Sequence, residues 1–230
     1  GRAFAPATLA YWIAMTSRFD TLLVPELLET IQKGVMRYAY RGVRCAKSPF
    51  DLAIYQNLLA DLRPATIIEI GTKTGGSALW FSDMSRLVGK QARIVSIDHQ
   101  PDTPDWSEPD IEFLQADAAR LGDFIPDAFW HDLPRPWLVV EDSAHTWAVS
   151  TAVLAYFEPL LRPGEYIVIE DGIVRAMPGE QYRAYEDGPC RAIADFLDRH
   201  SDFEIDRSLC DMFGHNVTYN PGGYLRRKPA

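Results

Sequence analysis

Thr66-Ile67-Ile68-Glu69-Ile70-Gly71-Thr72-Lys73-Thr74-Gly75-Gly76-Ser77 carries a short apolar run straight into a glycine-rich turn. A run of this kind predicts a strand over 66–70, and the apolar spacing beyond it predicts a helix over 74–88. The unit recurs downstream. Strands are expected at 92–97, 111–115, 137–141 and 166–169, with helices at 118–129, 147–161 and 189–200. Residues 203–206 and 217–219 read as a closing hairpin. Alternation of strands and helices implies an α/β fold: a Rossmann-like, mostly parallel seven-stranded sheet with helices on both faces. Upstream, residues 7–40 read as helical, with Leu22, Leu23, Leu27, Leu28 and Ile31 at helical spacing. Ser48-Pro49-Phe50-Asp51 marks a further helix start, Ser48 as N-cap and Pro49 at the first helical position, and Arg63-Pro64 stops that helix. The expected division is an N-terminal helical extension over 1–62, supplying oligomer contacts or a substrate wall, and a cofactor-binding domain over 63–230.

The chain has 230 residues, 47% of them hydrophobic, and a formal net charge of -9. That size suits one large domain or one domain with an appendage. The acidic balance disfavours nucleic acid as a partner, because phosphate binding needs a basic surface. No apolar run approaches the roughly 20 residues of a membrane span. No basic segment leads into an apolar stretch with a small-residue cleavage site. Cys45, Cys190 and Cys210 are odd in number and lack metal-site spacing, so they read as free thiols. Together these features predict a cytoplasmic protein. Its start at Gly1 in place of Met fits a processed or trimmed chain. The apolar surface of the N-terminal region predicts a homo-oligomer.

Two clusters carry chemistry. The first is the turn Glu69–Ser77, where glycines let a ligand approach the backbone at a helix N-terminus. Asp98, about 29 residues after Glu69, ends the second strand and suits the hydroxyls of a ribose. Asp117 follows the third strand, within reach of an adenine amino group. Lys73 stands where a dinucleotide fingerprint has its middle glycine, and no Gly-Lys-Ser/Thr follows, so neither a dinucleotide loop nor a phosphate loop is present. Glu69 repels a pyrophosphate but pairs with an ammonium, which favours S-adenosylmethionine over NAD. The second cluster is Glu141-Asp142-Ser143-Ala144-His145 with Glu170-Asp171-Gly172. Asp142, Glu170 and Asp171 are hard oxygen donors suited to Mg²⁺, Mn²⁺ or Ca²⁺. His145, three residues after Asp142, has the ordinary pKa of a general base near neutrality. The loop 172–188 is long and follows the acids, as binding loops and lids do.

Ser48-Pro49-Phe50-Asp51, Glu69-Ile70-Gly71, Gly75-Gly76-Ser77, Asp142-Ser143-Ala144-His145, Glu170-Asp171-Gly172 and Asn220-Pro221-Gly222-Gly223-Tyr224-Leu225 together resemble the cephalosporin hydroxylase family. Its members are similar to S-adenosylmethionine-dependent O-methyltransferases of natural-product pathways, including the cephamycin 7-methoxylation protein and macrolide-sugar O-methyltransferases. The resemblance implies a class I methyltransferase fold, Mg²⁺ held by Asp142, Glu170 and Asp171, and His145 as the base. It also implies a cofactor site along Glu69, Gly71, Thr72, Gly75, Ser77, Asp98, Asp117 and Asp142. Trp147, Met177, Tyr182 and Tyr185 are the candidates for contact with a small-molecule acceptor, a sugar, phenol or polyketide.

Three other readings compete. An iron oxygenase needs two histidines and a carboxylate on one face, whereas the five histidines here are dispersed. An NAD-dependent oxidoreductase can use Asp98 but lacks the middle glycine. A catalytically inactive, cofactor-binding member of the fold can keep the scaffold without the chemistry.

Overall fold

Proline sets where the first helices begin. The computed structural model describes residues 17–100 and 106–229. Within them, helix α1 spans Pro25–Val35, and each of α1 and the later helix at Pro49 places proline in its first turn, where the missing N–H has no partner to lose. Among the described residues, the expected helix over 7–40 is therefore confined to residues 25–35. Arg41 and Gly42, at φ 50 and 85, reverse the chain between strands β1 (Ala39–Tyr40) and β2 (Val43–Arg44). Positive φ at both central residues is what a two-residue hairpin turn demands. The part of the expected helix before residue 17, and Trp12, lie outside the described residues.

Helix α2 (Pro49–Leu62) leads into β3 (Thr66–Ile70), and Gly75, at φ 79, releases the chain into α3 (Gly76–Leu87). Strands β4 (Arg93–Asp98) and β5 (Ile111–Gln115) follow. The region expected as one helix over 118–129 is instead a 3-10 turn and two short helices, α4 (Leu121–Phe124) and α5 (Asp127–His131), because Pro126 interrupts it. Then come β6 (Trp137–Glu141), α6 (Trp147–Phe157), β7 (Tyr166–Ile169), two 3-10 segments over 172–185, α7 (Gly188–Leu197), β8 (Phe203–Ile205), α8 (Arg207–Cys210) and β9 (Tyr224–Arg227). The seven-stranded sheet has the order β5-β4-β3-β6-β7-β9-β8, parallel except for β9, which runs antiparallel to both its neighbours.

Side chains alternate between two cores, as the strand period of two requires. Ile68, Ile70, Val95, Ile97, Val139, Ile167 and Ile169 face the side covered by α6 and α7. Ile67, Ile94, Leu138, Val140, Tyr166 and Val168 face the side covered by α2 and α3. Ile54, Tyr55, Leu58 and Leu59 of α2 are part of that second core, so this helix is built into the sheet's own packing. Trp80, Trp130 and Trp137 are buried core residues, and Cys45, Cys190 and Cys210 are buried and unpaired. No helix among the described residues is long and apolar enough to cross a membrane.

The last strand is Tyr224–Arg227; residues 217–219, expected as a strand, form a buried turn instead. The reason is Asp51, in the first turn of α2. Its buried carboxylate accepts hydrogen bonds from Ser48 Oγ, Thr218 Oγ1, the Tyr219 amide, Asn220 Nδ2 and Tyr224 Oη. The Tyr219 amide, engaged on Asp51, is thereby lost to a strand ladder. Asn220 in turn accepts from the Asp171 amide at 3.0 Å. Asp51→Ala should leave several buried donors unpartnered. It is expected to cost about 3 kcal/mol and to lower Tm by about 6–12 °C. A calorimetric shift under about 2 °C would show that this junction is not held by Asp51.

Candidate active site

The loops after β3 and β6 leave the sheet on opposite sides, since the chain winds from β3 outward to β5 and then returns to β6. A crevice forms at such a switch point, at the carboxyl ends of the strands. Here the two strand ends are tied closely: the Gly71 amide donates to Ile97 O at 2.7 Å and the Asp142 amide to Ile70 O at 2.8 Å. A Cβ on Gly71, which sits at φ 107, would lie 1.9 Å from the Asp142 carbonyl oxygen. Only glycine fits there.

The crevice is a cleft of about 700 Å³. Thr72, Ser77, Asp98 and Asp117 line one flank, with Gly71 between; Asp142, His145 and Asp171 line the other, below Met177, Tyr182 and Tyr185. Lys73, His145 and Asp171 all adopt left-handed backbone, at φ 49, 54 and 58. Each such residue stores about 1–3 kcal/mol of strain, which persists where surrounding structure over-determines it. For Asp171 that structure is Asn220, which anchors its amide.

The bend at Asp171 separates two adjacent acids. Strand β7 ends at Ile169, and the Glu170 amide still donates to Glu141 O at 2.9 Å. The Glu170 side chain turns inward, away from the cleft lining, to Tyr55 Oη at 2.5 Å and Lys47 Nζ at 2.6 Å. Asp171 turns outward, its Oδ2 at 3.4 Å from His145 Nε2. Asp142 stands between them, Oδ2 at 2.5 Å from Lys47 Nζ and Oδ1 at 4.0 Å from His145 Nε2. One ligand atom each from Asp142, His145 and Asp171 falls within 4.8 Å of the others. The two carboxylates are hard oxygen donors that fit Mg²⁺ or Mn²⁺, and the imidazole stands beside them. Of the expected metal residues, Asp142 and Asp171 thus meet at the cleft, joined by His145. Glu170 is held apart, because both its oxygens are engaged on the far side of the strand end.

Burial governs the proton affinities. It pushes the Asp171 carboxyl up to about 6, against the lowering effect of His145. It also pushes Glu170 well above the ordinary carboxylate range, opposed by the Lys47 charge. For His145 burial alone lowers the pKa, but Asp171, Asp142 and Glu141 more than offset it, and the net shift is upward. The His145 Nδ1 atom is buried without a partner.

The cofactor-side residues divide in the same way. Asp98 ends β4 in the cleft wall, its carboxylate accepting from the Lys73 amide at 2.8 Å and the Gln100 amide at 3.0 Å. Asp117 lines the cleft beyond β5 and caps the Ala119 amide, which lowers its pKa. Glu69 does not line the cleft. It lies on the face of β3 that carries Ile67, fully buried, with Oε2 accepting from Ser96 Oγ at 2.6 Å. Gly75 faces Trp106 and Phe113 and serves the turn, not the lining. Trp147, expected near the acceptor, points away. Its indole donates to Asp195 at 2.9 Å under the Arg191 guanidinium, on the outer side of α6 against α7. At helical spacing it falls on the opposite side of α6 from the cleft-lining Val149. Lys47 carries no local signal in the sequence, and Asn220 shows only as part of the closing motif 220–225; each acts across more than 40 residues of separation.

The sequence model of the rhamnosyl O-methyltransferase/CmcI family matches residues 32–228. A rhamnosyl O-methyltransferase of Mycobacterium leprae is 30% identical over 194 residues, covering 82% of each chain. The corresponding enzyme of Mycobacterium tuberculosis is 29% identical over the same length, covering 82% of this chain and 77% of the relative. Among solved structures, CmcI with Mg and S-adenosylmethionine superimposes with a TM-score of 0.63 at 27% identity, covering 84% of this chain and 77% of that one.

Trp147→Ala should leave methyl transfer within about threefold of the parent, because the indole pairs with Asp195 and Arg191 of α7, outside the cleft. A loss of a hundredfold or more (about 2.7 kcal/mol) would return Trp147 to the acceptor site.

Proposed function

The chain belongs to the rhamnosyl O-methyltransferase/CmcI family and is an S-adenosylmethionine-dependent O-methyltransferase, and we propose that it methylates a hydroxyl of a small natural product with Mg²⁺ held by the acids of the cleft and His145 as base. The convergence of Asp142, Asp171 and His145 at the edge of one cleft carries this reading. Asp142 and Asp171 hold the ion, with Glu170 behind them as a third carboxylate. A bound Mg²⁺ lowers the pKa of the acceptor hydroxyl and fixes its direction.

His145 Nε2 takes the hydroxyl proton. The acceptor oxygen then forms its bond to the methyl carbon as the sulfur–methyl bond breaks, leaving S-adenosylhomocysteine. Asp171, 3.4 Å from the same Nε2, would stabilise the imidazolium by its charge. Asp98 takes the ribose hydroxyls, and Gly71 lets the amino-acid end of the cofactor lie against the backbone; Thr72, Ser77 and Asp117 complete the wall. Met177, Tyr182 and Tyr185 roof the acceptor side, Tyr185 meeting the His145 ring edge-on at 5.8 Å. Gln32 Oε1 and Tyr219 Oη line that side and are buried without partners. Such atoms ask for a donor or acceptor from a ligand or water, which supports an acceptor carrying several hydroxyls, a sugar ahead of a phenol or polyketide.

Asp142→Ala is expected to abolish turnover while isothermal titration still detects S-adenosylhomocysteine; full activity in excess chelator would sink the metal role. Because the base must be unprotonated, kcat should fall as pH drops. Without metal, Asp171 and Asp142 shift the His145 pKa upward; Mg²⁺ on those carboxylates would oppose that shift and draw the acid limb down. His145→Ala should lower kcat by about 10²–10⁴ and erase that limb. A variant that keeps the limb would assign the base elsewhere.

A further inference from the structure

Lys47 precedes the Ser48 cap of α2 and is 4% exposed. Its ammonium lies 2.5 Å from Asp142 Oδ2 and 2.6 Å from Glu170 Oε2. Burial alone would strip its proton, but the two carboxylates hold its pKa well above the ordinary value. Its charge also reaches Glu69 and Asp171. Among the described residues, no other lysine or arginine pairs with any of these four acids. Lysine is almost never fully buried unless it is paired. Here the pairing has a particular shape: oxygens from the ends of two neighbouring strands converge on one positive centre, as they would on a metal ion. Asp142 gives that centre Oδ2 and turns Oδ1 toward His145.

We propose that Lys47 is a positioning residue that acts as the resident cation of this site, holding Asp142 and Glu170 converged before a metal arrives and competing with the metal for their oxygens. The inference rests on the Mg²⁺ reading above. Without a cation, Asp142 and Glu170 would repel one another at this sheet edge. The ammonium between their oxygens draws them together. A divalent ion drawn to the same oxygens then meets a like charge within a few ångströms, so its affinity is held down. Full engagement of Glu170 by the metal requires the ammonium to withdraw from it.

The test compares Lys47→Met and Lys47→Arg with the parent. Melting temperature is measured in chelator and in Mg²⁺, and Mg²⁺ binding by titration calorimetry with S-adenosylhomocysteine present. The methionine variant should melt about 5 °C or more below the parent in chelator. It should recover most of that loss in Mg²⁺ and bind Mg²⁺ at least about tenfold more tightly. The arginine variant should stay within about threefold of the parent's affinity, because it keeps the charge. A Tm loss that is equal with and without Mg²⁺, at unchanged affinity, would show a packing role only and overturn the proposal. Should the methionine variant be insoluble, its refolding yield decides: improvement by Mg²⁺ supports the proposal, and equal yields overturn it. If the parent itself binds no Mg²⁺, the metal reading and the competition fail together, while melting in chelator still reports whether Lys47 holds the acids.

Discussion

A carboxylate removed from water must find a donor, a cation or a proton, and that requirement organises the edge where β3, β6 and β7 end. The acids there are answered in different ways. Asp51 is saturated by donors from α2 and the C-terminal turn. Glu141 accepts from the hydroxyls of Ser143 and Ser150 and from the Ser143 amide. Glu170 has Tyr55 and Lys47. Asp142 and Asp171 are left with oxygens facing the cleft and a histidine between them. The satisfied acids are part of the scaffold; Asp142 and Asp171, which face the cleft, mark where a ligand belongs.

The same edge concentrates backbone strain. Lys73, His145 and Asp171 occupy left-handed conformations around one cleft, and Gly71 occupies a place no side chain could share. Strain of this kind needs a rigid surround, supplied by two apolar cores on either side of the sheet and by the link from Asp51 through Asn220 to the Asp171 amide. Chemistry at the edge and packing far from it are therefore coupled. The turn at 216–220 holds the residue that anchors Asp171 and also contributes Tyr219 to the cleft wall.

Much of the fold was legible because its signals are local. Strands 66–70, 111–115, 137–141 and 166–169 were expected with their observed bounds, since parallel strands, three of them buried and 111–115 at the sheet edge, read as short runs between breakers. The misses have local causes too. Pro25 and the Arg41-Gly42 turn cut the expected N-terminal helix short, and Pro126 divides the one over 118–129. Residues 217–219 failed as a strand for a distant reason, the pull of Asp51 some 170 positions away.

Spacing along the chain placed Asp142, His145 and Asp171 at strand ends, and strand ends of a parallel sheet share one edge whatever the details of packing. Side-chain direction is another matter. Whether Glu69 looks into the cleft or under α3, whether Glu170 joins Asp171 or turns to Tyr55, and whether Trp147 faces an acceptor or α7 depend on the parity of a strand, the bend at one residue and the face of a helix against its neighbour. Lys47 is the extreme case. A lysine beside a helix cap reads as a solvated charge, and only the approach of α2 to the ends of β6 and β7 makes it the buried counter-ion of two acids nearly a hundred residues or more away.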